Sequence, residues 1–206
     1  VTAAPGAAEE GFEPTDGAAP DRARLGAPTD GAAQDRARLG ARLYQVAHLT
    51  GTFTLRSGAT STEYFDKYRF EADPTLLGEI GRALAPLVPT GTEVLAGLEL
   101  GGVPLAVALG AVTGLPTAFV RKAAKPYGTC RLAEGADIEG RRTLVVEDVV
   151  TTAGQVVASV GELRRRGAEI THALCVIDRE AGGADALAGI DVTLVPLFVM
   201  HELGPD

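Results

Sequence analysis

Glu147 and Asp148 follow an apolar run, Val145-Val146, and precede Thr151-Thr152-Ala153-Gly154, a hydroxyl-rich turn that opens onto a helical pattern. Adjacent carboxylates suit sugar hydroxyls or a hard cation such as Mg2+. A turn leading into a helix N-terminus aims successive backbone N–H groups at one concavity, where the helix dipole also favours an anion. Carboxylates beside such a cradle repel the anion unless they serve another part of the same ligand. The order strand, acid pair, turn, helix therefore reads as a sugar-phosphate pocket. Glu147 and Asp148 take the ribose, and the backbone of Val149, Val150, Thr151, Thr152, Ala153, Gly154 and Gln155 takes the phosphate. The plain alternative, a solvated strand end, does not require that order.

Three further groups carry chemistry. Arg121, Lys122 and Lys125 place three cations within five residues, inside some twenty residues between Val120 and Arg142 that have little apolar periodicity. So long a connection in a compact domain is a functional loop or a disordered one, and its plain reading is a solubilising surface. Arg179 ends an apolar run and offers a fork for a carboxylate or ring carbonyl, although Asp178 and Glu180 beside it also permit a surface ion-pair cluster. Tyr64 and Phe65 offer rings, but neighbours on a strand point to opposite faces, so only one can meet a ligand, and core packing is the plain reading of both. His48, His172 and His201 fall in no motif and read as structural.

The elements that must position these groups follow from the spacing. Leu43, Val46, Ala47 and Leu49 form a helical stripe. Thr52–Arg56 and Glu63–Asp66 flank Ser57-Gly58 as a strand pair, and Asp73-Pro74 caps a helix running to about Leu87. Strand-like and helix-like runs then alternate: Glu93–Gly97, Pro104–Ala111, Thr117–Val120, Thr143–Glu147, Val156–Arg166, Ile170–Ile177, Ala184–Leu187 and Val192–Phe198. Alternation of this kind predicts an α/β fold with a central parallel sheet flanked by helices and ligands beyond the strands' carboxyl ends.

The first 41 residues differ in kind, because Pro14–Ala27 recurs almost unchanged as Pro28–Ala41, with Pro20 and Gln34 the differing pair. Two short polar copies do not make a solenoid. The second copy is expected to join the first helix and the first to stay loose. The division expected is a loose extension over 1–34 and one domain over 35–206. A net charge of −8 argues against general affinity for nucleic acid or an anionic membrane. With no apolar stretch near about 18 residues and no secretory leader pattern, a soluble cytoplasmic protein is expected. Cys130 and Cys175 lack metal-ligand spacing and read as reduced thiols.

The phrase from Val145 to Gln155 resembles the phosphoribosyl pyrophosphate (PRPP) motif of type I phosphoribosyltransferases. Four more phrases narrow the resemblance to orotate phosphoribosyltransferases over roughly Leu43 to the C-terminus: Gly51–Gly58, Gly97–Pro104, Arg121–Lys125 and Asp178–Glu180. The resemblance implies a small N-terminal hood and a flexible catalytic loop added to the sheet, and a Mg2+-dependent displacement of pyrophosphate from PRPP by a ring nitrogen of orotate. It implies a homodimer with sites shared across the interface and no nucleic-acid or membrane partner. Lys125 becomes the residue nearest the leaving group, with Arg121, Lys122 and Tyr127 also on PRPP. Glu147 and Asp148 become catalytic residues on the ribose, with Mg2+ entering on PRPP and Asp148 its candidate ligand. Thr151, Arg179, Arg56 and Phe65 become the orotate contacts.

Three positions depart from the familiar form of that family. Tyr127 stands where histidine is common and donates a hydrogen bond without offering an imidazolium. Gly101 stands where some members place lysine, which removes a cation. Ala153 replaces a frequent glycine, at a cost of about 1 kcal/mol if the position needs a positive φ. Two other readings keep the pocket: transfer to a different acceptor, for which a neutral base would leave Arg179 without a carboxylate, and a non-catalytic PRPP-sensing regulator.

Overall fold

The structure, a computed structural model, describes residues 30–54, 58, 60–122 and 132–203. Helix α1 (Asp30–Ala47) starts ahead of the expected boundary at 35 and takes up most of the second repeat copy. Its Leu39, Leu43 and Ala47, spaced four apart, are buried on one face. Arg36 anchors the helix to the far end of the chain. It donates to Leu197 O at 2.8 Å and to Glu202 at 2.7 Å, and its guanidinium lies 4.6 Å above the Phe198 ring.

Leu49, expected on the helical stripe, lies instead in strand β1 (His48–Thr54), which pairs antiparallel with β2 (Thr60–Phe65) in a separate two-stranded sheet. The helix stops because Asp66 N donates to Ala47 O at 2.8 Å and the ladder starts at His48↔Phe65, so tertiary pairing overrides the helical period. This pair is the small hood. A single helical turn, α2 (Tyr68–Glu71), follows and buries Phe70. In α3 (Pro74–Leu84), Asp73 caps the first turn by accepting from Thr75 N at 2.9 Å and Leu76 N at 3.1 Å, and Pro74 fills the first helical position, where its missing N–H costs nothing. A 3-10 turn over Ala85–Leu87 completes the expected span.

The main sheet contains β3 (Val94–Leu98), β4 (Thr117–Val120), β5 (Ala133–Gly135), β6 (Thr143–Val150), β7 (His172–Asp178) and β8 (Thr193–Val199), in the order β5-β4-β3-β6-β7-β8. All neighbours are parallel except β4 with β5. The crossover helices are α4 (Gly102–Thr113), α5 (Gly154–Arg164) and α6 (Gly183–Ala188). Apolar clusters form on both faces, one gathering Leu43, Leu76, Ile80, Leu105, Val146 and Leu174, the other Val94, Val145, Val160, Leu163, Ala173 and Cys175. That two-sided burial explains the nearly unbroken apolar strands. The strand order runs outward in opposite directions from β3 and β6, so the crevice at their carboxyl ends is the switch point where such sheets take ligands.

Strand β5 was not legible in the sequence. Three residues, Ala-Glu-Gly, carry no period, yet they add an antiparallel edge to β4, with Leu132 and Ile138 buried beside them. Among the described residues, no helix is long and apolar enough to cross a membrane.

Candidate active site

Strand β6 does not stop at the acid pair as expected. It continues to Val150, because Val149 and Val150 pair with Ile177 and Asp178 of β7. Glu147 and Asp148 are therefore held inside the ladder, Glu147 with 9 % of its surface exposed and Asp148 with none. Burying carboxylates demands partners. Lys67, at the start of α2, supplies a cation: its Nζ donates to Asp148 Oδ1 at 2.9 Å and lies 2.6 Å from Oδ2. The second approach lacks hydrogen-bond geometry, so Oδ2 has no hydrogen-bond partner, and neither does Glu71 Oε1. Asp148 N donates to Glu147 Oε1 at 3.2 Å, and Val149 N to Asp148 Oδ1 at 2.5 Å.

Three carboxylates thus share one lysine, and they do not share charge equally. Burial, followed by the hydrogen bond and repulsion from Asp148, pushes Glu71 up to about 8 and Glu147 up to about 9. Burial also acts to raise Asp148, but hydrogen bonds from Glu147, Lys67 and Glu71 outweigh it and hold its carboxyl below the ordinary range. Burial acts to lower Lys67, and the Asp148 bond outweighs it, leaving Lys67 raised. Asp148 is the ionised member of the cluster, and Glu71 and Glu147 retain protons.

A stability consequence follows for the ligand-free protein. Glu71 binds its proton to about pH 8 when folded and only to about its ordinary 4.5 when unfolded. The folded state therefore carries the extra proton between those values, and stability falls as pH rises through that window. Melting temperatures measured in chelator should decline from pH 5 to 8, and Glu71→Gln should reduce the slope. An unchanged slope would contradict the assignment.

The turn Thr151–Gly154 follows at once. Thr151, Thr152 and Gly154 are exposed, Ala153 is buried at φ 57° and ψ 9°, and no side chain caps the amides of α5's first turn. That end is free to take an anion. The glycine-favouring geometry expected at Ala153 is present. For an L-residue it costs about 1–2 kcal/mol. Burial of the methyl returns about 0.8 kcal/mol, and glycine would add about 0.5–1 kcal/mol of chain entropy. The terms nearly cancel, so Ala153→Gly should melt within about 3 °C of the parent. A larger rise would mean that the turn stores strain.

Gly101, at the mouth of α4, explains another departure. A Cβ there would overlap Asp148 Oδ2 and approach Glu71 Oε1 to 2.6 Å, so no side chain fits. Arg179 follows β7, and its N–H donates to Val150 O at 2.8 Å, which sets it beside the turn Thr151–Gly154. Its side chain is exposed and pairs with neither acidic neighbour: Asp178 accepts from Glu180 N at 2.9 Å, and Glu180 is held by His201 at 2.9 Å. His201, read as structural, thus stiffens the turn that carries Arg179.

Arg121 and Lys122 line a cleft of about 230 Å3 with Gln155, Ser159, Glu162 and Arg165. Arg121 N donates to Leu132 O at 2.9 Å, Lys122 N donates to Glu99 Oε1 at 2.6 Å, and the buried Arg121 Nε has no hydrogen-bond partner among the described residues. Phe65 is half-buried against the core, whereas Tyr64 is 44 % exposed and tilts against Phe53 at 5.4 Å. Arg56, Lys125 and Tyr127 lie outside the described residues.

Lys67 and Glu71 were missed in the sequence. Their four-residue spacing just before the Asp73-Pro74 cap was the available signal, since it puts both on one side of a single helical turn.

Residues 70–195 match the phosphoribosyl transferase domain family. An orotate phosphoribosyltransferase of Nocardioides sp. is 51 % identical over 158 residues, covering 77 % of this chain and 88 % of that protein. The orotate phosphoribosyltransferase of Methanocella arvoryzae is 45 % identical over 153 residues, covering 74 % and 87 %. The crystal structure of Mycobacterium tuberculosis H37Rv orotate phosphoribosyltransferase in complex with PRPP superposes with a TM-score of 0.72 at 29 % identity, covering 83 % of this chain and 99 % of that one. The matched range takes in the main sheet through β7 and its crossover helices, and the chain belongs to the orotate phosphoribosyltransferase family.

Proposed function

We propose that the chain transfers the 5-phosphoribosyl group of PRPP to a ring nitrogen of orotate, giving orotidine 5′-monophosphate and pyrophosphate in pyrimidine synthesis. The observation that carries this reading is the β6–turn–α5 unit, which sets a buried acid pair and an uncapped helix end side by side at the β3/β6 crevice. Glu147 and Asp148 hold the ribose hydroxyls, while the amides of Thr151 to Gln155 hold the 5′-phosphate. Fixing both ends of the sugar restrains the anomeric carbon between the incoming nitrogen and the departing oxygen. Arg179 faces the carboxylate or a ring carbonyl of orotate, and Thr151 offers a hydroxyl. Arg56 and Phe65 remain proposed acceptor contacts. Arg121, Lys122, Lys125 and Tyr127 serve the leaving pyrophosphate, with Lys125 closest.

Mg2+ fits the donors present. Asp148 is the ionised member of the cluster, and its buried Oδ2 is a hard oxygen without a hydrogen-bond partner among the described residues. Among the described residues, no group of three or more His, Cys, Asp or Glu is arranged to hold a metal. When bound, Mg2+ would neutralise charge developing on the leaving diphosphate. We further propose a cytoplasmic homodimer with shared sites, on the family resemblance, in which residues 35–206 form the transferase domain and 1–34 an extension.

The test is acceptor choice. With PRPP and Mg2+, the protein should consume orotate and leave uracil, adenine and hypoxanthine untouched, and Arg179→Ala should weaken orotate selectively. Turnover of a purine base in place of orotate would replace this reading with another acceptor.

A further inference from the structure

Asp148 has no exposed surface, yet a ligand must reach it if it is to hold a ribose hydroxyl. Something over it has to move. Its close neighbours are Gly101, Glu71, Glu147 and Lys67. Gly101 has no side chain to withdraw, and Glu147 is fixed in the β6 ladder. Lys67 is different. Its side chain is 33 % exposed, its backbone stands at the start of a single helical turn, and it does not cap that turn. It also rests 5.4 Å from the ring of Tyr68, itself 47 % exposed, so the ammonium has an open side to turn toward. The turn after β3 brings no cation to this part of the crevice, because its residues are Glu99, Leu100 and Gly101.

We propose that Lys67 is an exchanging cation of the PRPP site. In the free protein it occupies Asp148. When PRPP enters, the ribose hydroxyls take over Asp148, and the Lys67 ammonium turns to an oxygen of the ligand's diphosphate. Lys67 therefore pairs with Asp148 until the ligand arrives and then contributes a charged hydrogen bond to it. This inference rests on the proposed transfer from PRPP and adds a residue outside the motif that announces it.

The test compares the full-length protein with Lys67→Met and Lys67→Arg, by calorimetric titration of PRPP with Mg2+ and by orotate turnover. Losing one hydrogen bond to a charged group should raise the PRPP dissociation constant and KM about 10–100-fold for Lys67→Met. The KM for orotate should stay within about twofold, and Lys67→Arg should restore most of the loss. PRPP affinity that is unchanged or tighter in Lys67→Met would overturn the inference, since it would make Lys67 a plug over Asp148. Equal losses for both substrates, with a lowered melting temperature, would overturn it in favour of a structural role. Because calorimetry reads PRPP binding without an acceptor, a parent protein that binds PRPP but leaves orotate untouched would sink the proposed acceptor and leave the Lys67 test standing.

Discussion

Asp148→Asn should lower kcat/KM for PRPP by about 100–1000-fold, the scale observed when one preorganised charged contact to a transition state is lost. Asparagine keeps the shape of the side chain and its place in β6, so packing is conserved. What disappears is the negative charge that pairs with Lys67 and, in the proposed complex, accepts from the ribose. Glu147 and Glu71 do not replace it, since both retain protons well above the ordinary carboxylate range, raised to about 9 and about 8. Burial, the first cause of their elevation, persists in the variant, and only the smaller share that comes from Asp148 is relieved, so both should come down part of the way. The melting temperature at pH 8 should accordingly hold or rise. Steady-state kinetics beside thermal melting checks both halves. Activity within tenfold of the parent would mean that Asp148 does not touch the reacting sugar.

Gly101→Ala should lower both stability and activity. The added Cβ would occupy the position of Asp148 Oδ2 and press on Glu71 Oε1 at 2.6 Å. A surface carboxylate would swing aside, but Asp148 is fully buried and held by Lys67 and by Val149 N at 2.5 Å. Either the acid leaves its position or the turn before α4 backs out of the crevice. Overpacking of this kind costs about 1–3 kcal/mol of stability, and misplacing a positioning group by an ångström costs about 100-fold in rate. A melting curve and the PRPP kinetics of the variant would show both. A variant with parental kinetics would mean that the turn relaxes freely and that its closeness to Asp148 has no function.

The two glycine-related departures resolve differently. At Ala153 the backbone requires the left-handed region and the protein tolerates alanine because its methyl is buried. At Gly101 the backbone is ordinary, φ −68°, and the requirement is space. Sequence could raise both questions but could decide neither, because the deciding contacts come from chain segments dozens of residues away.

The same division runs through the fold. The strands β3, β4, β6, β7 and β8 and their crossover helices were legible because buried parallel strands are apolar throughout and helices separate most of them. The order strand, acids, turn, helix was legible because it is local. Leu49 was misplaced because a helical stripe and a strand start share residues until Phe65 pairs with His48. The extension of β6 past Asp148 depends on β7, whose pairing has no local signal. Strand β5 and helix α2 are too short to show a period. Lys67 escaped for the deepest reason. Its partner Asp148 lies 81 positions along the chain, and nothing in Asp66-Lys67-Tyr68 states that a buried carboxylate waits across the crevice.

The change in orotate's ultraviolet absorbance when the protein is mixed with orotate, PRPP and Mg2+, with Asp148→Asn run in parallel, tests the proposed transfer most directly. Conversion by the parent, reduced at least about 100-fold in the variant, is the predicted result. No conversion by a parent protein that binds PRPP, or equal conversion by both proteins, would contradict it.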